Sequence, residues 1–407
     1  MIVRLAWRNI WRNQRRTILT ILAVLFACFF LLVQQGMDRG ADAEQIRFMV
    51  SLFTGAMQVQ REGYLENPSL RRSFMVGREF LDRLRADDGV TGCAPRIETQ
   101  GLVAREGQSL GTALFGIDPS REQGTSTILS RVTEGRCFLA ADASEIVVGH
   151  VLLANLGGRI GDTVVVLTQG FDGAFADRRF RIVGTIKTGS TEFDGTVVLL
   201  PLRSFQEMLA MEGKVTAIAV TVRDIHEIRK VRDHIAAALA GTGLVVPTWE
   251  EIMPDVKQSK DLNEWGGRLF LVILMIVVGF GILNTILMSV TERFGEFGIL
   301  LAVGMPQCLL VSVVFIETIF ILFLGMLAGN LLALPINAWI EAHPIRLTGE
   351  WAFSMEQYGY QPIIPSTTRP SIFLWIDAAI AGITLLLAAY PLIRVWRLEP
   401  LKGIRHT

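Results

Sequence analysis

Four stretches of this chain carry almost no charged side chain over lengths suited to a bilayer, and they decide most of what it can fold into. The first, Thr17 to Met37, contains TILTILAVLFACFFLLV, which as a helix rising about 1.5 Å per residue crosses a hydrocarbon layer of about 30 Å. The second runs from Leu269 to Thr291 and stops at Glu292-Arg293. The third extends from Met305 to Leu334, interrupted only by Glu317 and closed by Pro335. The fourth, Ser371 to Ile393, holds Asp377 near its start and is followed by Arg394 and Arg397. Four transmembrane helices are therefore expected, over residues 17–37, 268–291, 305–334 and 371–393. The first is read as uncleaved, because the small-x-small signal that would end a leader is replaced by LLVQQGMD.

Charge decides the orientation. Lys plus Arg and Asp plus Glu both number 39 in 407 residues, and only 19% of residues are charged, below the roughly 25% usual for soluble domains. The amino end carries Arg4, Arg8, Arg12, Arg15 and Arg16, and the far end carries Arg394, Arg397, Lys402 and Arg405. Basic segments flanking spans are retained in the cytoplasm. Both termini (1–16 and 394–407) are thus expected in the cytoplasm, with residues 38–267 and the loop 335–370 outside a bacterial inner membrane. The large insert holds 26 basic and 31 acidic residues. With no long basic run beyond the first sixteen residues, polybasic nucleic-acid binding is excluded.

The insert reads as an α+β domain. Candidate strands lie at Gly55–Gln60, Arg96–Ala104, Glu145–Gly149, Thr163–Gln169, Phe180–Ile186, Thr196–Leu202 and Thr216–Val222, alternating or rich in Val and Ile. Candidate helices are Leu202–Met211 and Ile225–Leu239, the second stopped by Gly241-Thr-Gly. Two subdomains are expected, with a boundary near Gly124–Glu134, and Trp249–Trp265 reads as a helical stalk. Cys93 and Cys137 both fall in the outward domain, where either a disulfide or two buried thiols would fit. The five histidines are scattered without close acidic or thiol partners, so no metal ligand set is expected.

Catalytic signatures are absent. There is no G-x-x-x-x-G-K-[ST] phosphate loop, no G-x-S-x-G and no H-E-x-x-H. The glycine-rich LGGRIGD at Leu156–Asp162 reads as a helix C-cap and turn. No catalytic residue is assigned, and energy must come from a partner.

Five local patterns then resemble one family. LAWRNIWRNQRRTILTI at Leu5–Ile21 looks like the amino end of the permeases related to FtsX, MacB and the lipoprotein-releasing Lol transporters. ERFGEFGILLAVGM at Glu292–Met305 resembles their cytoplasmic segment after the second span, IETIFILFLGMLAGN at Ile316–Asn330 their third span, and YPLIRVWRLEPLKGIR at Tyr390–Arg405 their closing pattern. GRCFLAADASEIVVGHVLLANLGGRIGDTVVVL with FRIVGTI resembles their periplasmic core. In architecture the chain most resembles the LolC/LolE-type permeases, although it lacks the Phe-x-Ala-x-Arg-Tyr-Leu opening common there.

The resemblance implies a type VII ABC permease with a MacB-like periplasmic core domain, dimeric with a second permease copy or paralogue and served by separate ABC ATPase subunits that bind ATP and Mg. It implies that residues 292–304 form a coupling helix. The residues fit that role, with Glu292, Arg293 and Glu296 toward a partner, Phe297, Ile299 and Leu300 as apolar pegs, and Gly298 and Gly304 in the motif. The sequence departs from the pattern at Leu301, where Arg is usual. Glu317 is expected to face the bundle, as a packing residue or an element of the coupling path, because a carboxylate at mid-membrane costs at least about 2.5–3.5 kcal/mol. Gly325 and Gly329 make a small-x-x-x-small packing face. The function expected is mechanotransmission that extracts a lipoprotein or another amphipathic substrate from membrane lipid; the alternative is a non-transporting FtsX-like permease that activates an extracytoplasmic partner such as a cell wall hydrolase.

Overall fold

The structure, a computed structural model, describes residues 2–12, 14–357 and 361–397. They fall into two compact units, one formed by residues up to 43, 260–346 and 363 onward, the other by 44–259 with 347–362. The closing pattern after Arg397 lies outside the described residues.

In the first unit, four helices are long and apolar enough to cross a membrane. Three of them clearly outrun the expected spans. The helix Gln14–Met49 has 36 residues and Pro254–Glu292 has 39, about 54 and 58 Å of helix against a hydrocarbon layer of about 30 Å. The first continues past Met37 because Ala41, Ala43, Glu44 and Gln45 favour helix and no glycine intervenes between Gly40 and Gly55. Arg39 pairs with Glu264 at 2.9 Å, so the extensions of the two helices are tied to each other. The third helix, Gln307–Ala342, runs through Pro335 rather than ending there. Proline removes only one backbone bond. The turns beyond it are held by the fully buried Asn337, whose amide donates to Leu32 O and whose carbonyl accepts from Ser366 Oγ, each at 3.1 Å.

The third helix packs on the first through its glycines. A Cβ added at Gly325 would lie 2.6 Å from Val24 Cβ, and one at Gly329 would lie 2.7 Å from Cys28 Cβ, closer than side chains tolerate. Asn330 donates to both oxygens of Asp377 on the fourth helix, Pro370–Trp396, at 3.0 and 3.1 Å. Asp377, near the start of the fourth apolar block, is thus held by an amide one helix away.

The second unit is mixed α/β. Ten strands, β1 Met57–Arg61, β2 Val90–Arg105, β3 Gln108–Ile117, β4 Val132–Gly135, β5 Glu145–Gly149, β6 Thr163–Gln169, β7 Phe175–Ile186, β8 Val197–Pro201, β9 Ala217–Val222 and β10 Leu244–Val245, form one sheet. Its order is β10-β1-β9-β2-β3-β8-β5-β7-β4, with β6 bonded to both β2 and β7. The β3–β8 and β5–β7 pairs are parallel, which departs from the α+β expectation of segregated antiparallel strands.

Two nested pieces share this sheet. β1, the helix Arg78–Arg85, β2, β9, the helix Ile228–Ala238 and β10 form a β-α-β-β-α-β unit with strand order 4-1-3-2, antiparallel throughout, a ferredoxin-like arrangement. Its core includes Val59, Leu81, Leu84, Ile218, Val220, Val231 and Ile235. Between β2 and β9 the chain makes a ring, β2-β3-β8-β5-β7-β6 and back to β2, filled by residues such as Val103, Leu114, Val148, Val166, Phe180 and Leu200. Closing the ring removes free edges. The second subdomain is thus an insertion in the first, joined through the sixteen-residue β2, and no break falls at Gly124–Glu134. That stretch instead carries Ser126, which donates to the buried Glu122, and the turn into β4.

The cysteines do not bridge. Cys93 and Cys137 are both free, with Cys93 buried in the ferredoxin-like core and Cys137 packed against a different apolar cluster. LGGRIGD behaves as expected, the helix His150–Asn155 ending at Leu156 with Gly157 at φ 58° and Gly158 N–H donating to Leu153 O.

Candidate functional site

The segment between the second and third membrane helices forms a nine-residue helix, Phe294–Ala302, flanked by Arg293 as N-cap and by Gly304 at φ 101°. A cation at a helix N-terminus opposes the helix dipole, so Arg293 needs carboxylates. It finds Glu317. Its Nη1 lies 3.0 and 3.2 Å from the two Glu317 oxygens, and its Nε is 3.7 Å from Glu296 Oε2. The Arg293 and Glu317 side chains are only 14% and 11% exposed. Glu296, in the first turn where an anion is favoured, also pairs with Arg12 of the amino-terminal helix Ile2–Arg12. The sequence Arg12, Glu296, Arg293, Glu317 therefore alternates in sign and links three helices.

Apolar groups seat this row of charges. Phe297 is 2% exposed and its ring lies 5.3 Å from the Arg293 guanidinium. Phe294, Leu301 and Met305 pack against the membrane-helix core. Asn9, Thr17, Thr20, Arg293, Glu317 and Thr318 help line a cavity of ≈ 40 Å³ beside the pair, wide enough for solvent contact with the carboxylate.

Several expected roles move. Arg293, expected to face a partner, and Phe297, expected as an apolar peg, turn toward the bundle, and Gly298 is buried beside them. Glu292, Glu296, Ile299 and Leu300 are exposed, and Val303, which the sequence reading left out, is 83% exposed. The unusual Leu301 packs inward and offers no charge. Glu317 has a partner, and that partner is the motif arginine. Gly325 and Gly329 sit higher on the same helix as helix-contact residues. Among the described residues no group of His, Cys, Asp and Glu could hold a metal ion.

What this arrangement can do is mechanical. Ile299, Leu300 and Val303 form an exposed apolar ridge, and the Arg293–Glu317 pair fixes the short helix carrying that ridge to the third membrane helix.

Comparison with known proteins agrees with this architecture. Residues 17–238 match the MacB-like periplasmic core domain and residues 268–400 the FtsX-like permease C-terminal domain. The lipoprotein-releasing system transmembrane protein LolC of Neisseria meningitidis serogroup B is 21% identical over 354 residues, 84% of each chain. The macrolide export ATP-binding/permease protein MacB of Agrobacterium fabrum is 22% identical over 348 residues, 83% of this chain but 52% of that one. The periplasmic region of MacB from Actinobacillus actinomycetemcomitans aligns over 53% of this chain and 98% of its own, with a TM-score of 0.36 and 13% identity. With the two domains matched in this order across nearly the whole sequence, the chain belongs to the FtsX-like and MacB-like family of ABC transporter permeases.

Proposed function

We propose that this chain is the membrane subunit of an ABC transporter whose ATPases are separate polypeptides, and that it works by mechanotransmission on a lipoprotein or similar amphipathic substrate. The carrying observation is the short helix Phe294–Ala302, which presents Ile299, Leu300 and Val303 outward while Arg293 anchors it to Glu317. ATP and Mg would be bound by the partner, whose closure pushes on the exposed ridge. The Arg293–Glu317 pair carries that push to the third helix, and the glycine contacts at Gly325 and Gly329 pass it to the first. The first and second helices continue unbroken well beyond a bilayer's thickness, which suits them to conduct motion outward. In this reading both termini are cytoplasmic, the ten-stranded domain is periplasmic, and a second permease copy or paralogue completes the dimer.

A lipoprotein substrate is supported by the match to LolC over 84% of both chains. Reconstitution with the cognate ATPase tests it. ATP-dependent release of a lipoprotein from proteoliposomes to a soluble acceptor is expected. ATP turnover that activates a cell wall hydrolase, with nothing leaving the bilayer, would refute the transport reading and favour the signalling alternative.

A further inference from the structure

The helix Ile2–Arg12 carries three adjacent stripes. Ala6 and Ile10 are buried against the bundle, where Trp7 also meets Phe320 edge-on at 5.5 Å and Thr17 Oγ1 donates to Ile10 O. At 100° per residue the next stripe holds Val3, Trp7 and Trp11, which stay 56%, 42% and 45% exposed. Beyond it Arg4, Arg8 and Arg12 follow at four-residue spacing, and Arg15 is the second residue of the helix Gln14–Met49; all four are exposed. No acidic residue occurs before Asp38. Arg12 pairs with Glu296, whereas Arg4, Arg8 and Arg15 make no ion pair with any described residue.

An apolar strip with two tryptophans beside a row of unpaired arginines is suited to lying in a membrane–water interface, with rings at the acyl boundary and guanidiniums at headgroup phosphates. We propose that this helix, with the first turn of the helix Gln14–Met49, is a binding surface for anionic phospholipid headgroups, recognised by Arg4, Arg8 and Arg15 while Val3, Trp7 and Trp11 insert beside them. The proposal rests on reading the four long helices as membrane spans, not on the transported substrate. Since Arg12 of the same helix holds Glu296, the lipid-bound helix fixes one end of the charge row that positions the coupling helix.

The test uses the full chain in nanodiscs of phosphatidylcholine containing about one-third phosphatidylglycerol, followed by native mass spectrometry of retained lipid. Attraction to an anionic surface changes binding by about fivefold per basic group, so R4Q/R8Q/R15Q is expected to lower the preference for phosphatidylglycerol by more than tenfold. R4K/R8K/R15K, which keeps the charge, should retain it. In wild-type protein, the emission lost in W7F/W11F should be quenched by brominated phosphatidylcholine. An unchanged preference in the glutamine variant, or its loss in the lysine variant, overturns the proposal. Quenching of the same emission by aqueous iodide, relieved by added ATPase instead of by lipid, would also overturn it by assigning the face to a protein partner.

Discussion

Replacing Arg293 or Glu317 should separate the short helix Phe294–Ala302 from the third membrane helix, and the cost follows from their geometry. The two side chains meet through paired contacts of 3.0 and 3.2 Å at 14% and 11% exposure. At an effective dielectric constant near 20, charges about 3 Å apart attract by about 5 kcal/mol, much of which is spent on desolvating both ions. Losing one partner already brings most of the damage, because the survivor stays buried without compensation, at a cost of about 3–5 kcal/mol, and losing the second adds little. We therefore expect R293Q and E317Q each to destabilise the permease by about 3 kcal/mol, and R293Q/E317Q by about 3–4 kcal/mol instead of the sum. The resulting interaction of about 2 kcal/mol would be read from unfolding of the full chain in mixed micelles, through a double-mutant cycle. Stimulation of the partner ATPase, measured in parallel, should fall in both single variants while the periplasmic domain keeps its far-ultraviolet circular dichroism. Additive losses, within about 0.5 kcal/mol, would refute the pair as the anchor.

Three further outcomes are expected. Gly329→Ala places a Cβ 2.7 Å from Cys28 Cβ and 3.0 Å from Leu25 O, so it should cost about 1–3 kcal/mol in the same unfolding assay by overpacking. Intact mass after alkylation in denaturant should be identical with and without reductant, since Cys93 and Cys137 are both free; in the native protein Cys137 should alkylate slowly at pH 8, because burial pushes its thiol up to about 11. Burial also raises Glu98 above its ordinary 4.5, with Arg96 opposing and Glu122 reinforcing the shift. The folded state therefore holds this proton more tightly than the unfolded chain does, so the contribution is full below about pH 4.5 and fades as pH rises through the raised value. Glu98→Gln should flatten that decline in the full chain's thermal stability, and an unchanged profile would exclude Glu98 as its source.

The spans were legible because a charge-free run of twenty residues has few other uses. The strands β5, β6 and β9 were legible through Val and Ile. β3 was not, because Gly111 and Gly116 interrupt its alternation, and the reason for Gly116 is tertiary: a Cβ there would lie 2.7 Å from Phe205 Cδ1, so glycine is what lets the helix Leu202–Met208 approach. Ring closure depends on β6 meeting β2 through only Leu102–Leu167, Val103–Val166 and Ala104–Val165. No local pattern specifies those three pairs. The buried contact of Arg96 with Glu122 and Phe53 O is likewise invisible in sequence, where an arginine inside a strand reads as its solvent face.

The short helix Phe294–Ala302 turns a different face to the bundle than residue types alone suggest. By type alone its residues form a polar strip with apolar pegs; by spacing they divide into two faces. Arg293, Phe297 and Leu301 recur every four positions and so share one face of the helix; that face is the buried one. Ile299 and Val303 share the other, with Glu296 and Leu300 beside them. Spacing alone would therefore have placed a cation against the membrane helices. A cation there demands a carboxylate, and the third apolar block contains only Glu317. Leu301 extends the argument, since an arginine at that position would join the inward face and compete with Arg293 for Glu317. With leucine there, the carboxylate faces Arg293 alone, and Leu301→Arg should weaken the Arg293–Glu317 interaction in the double-mutant cycle to well below the about 2 kcal/mol expected for the native pair.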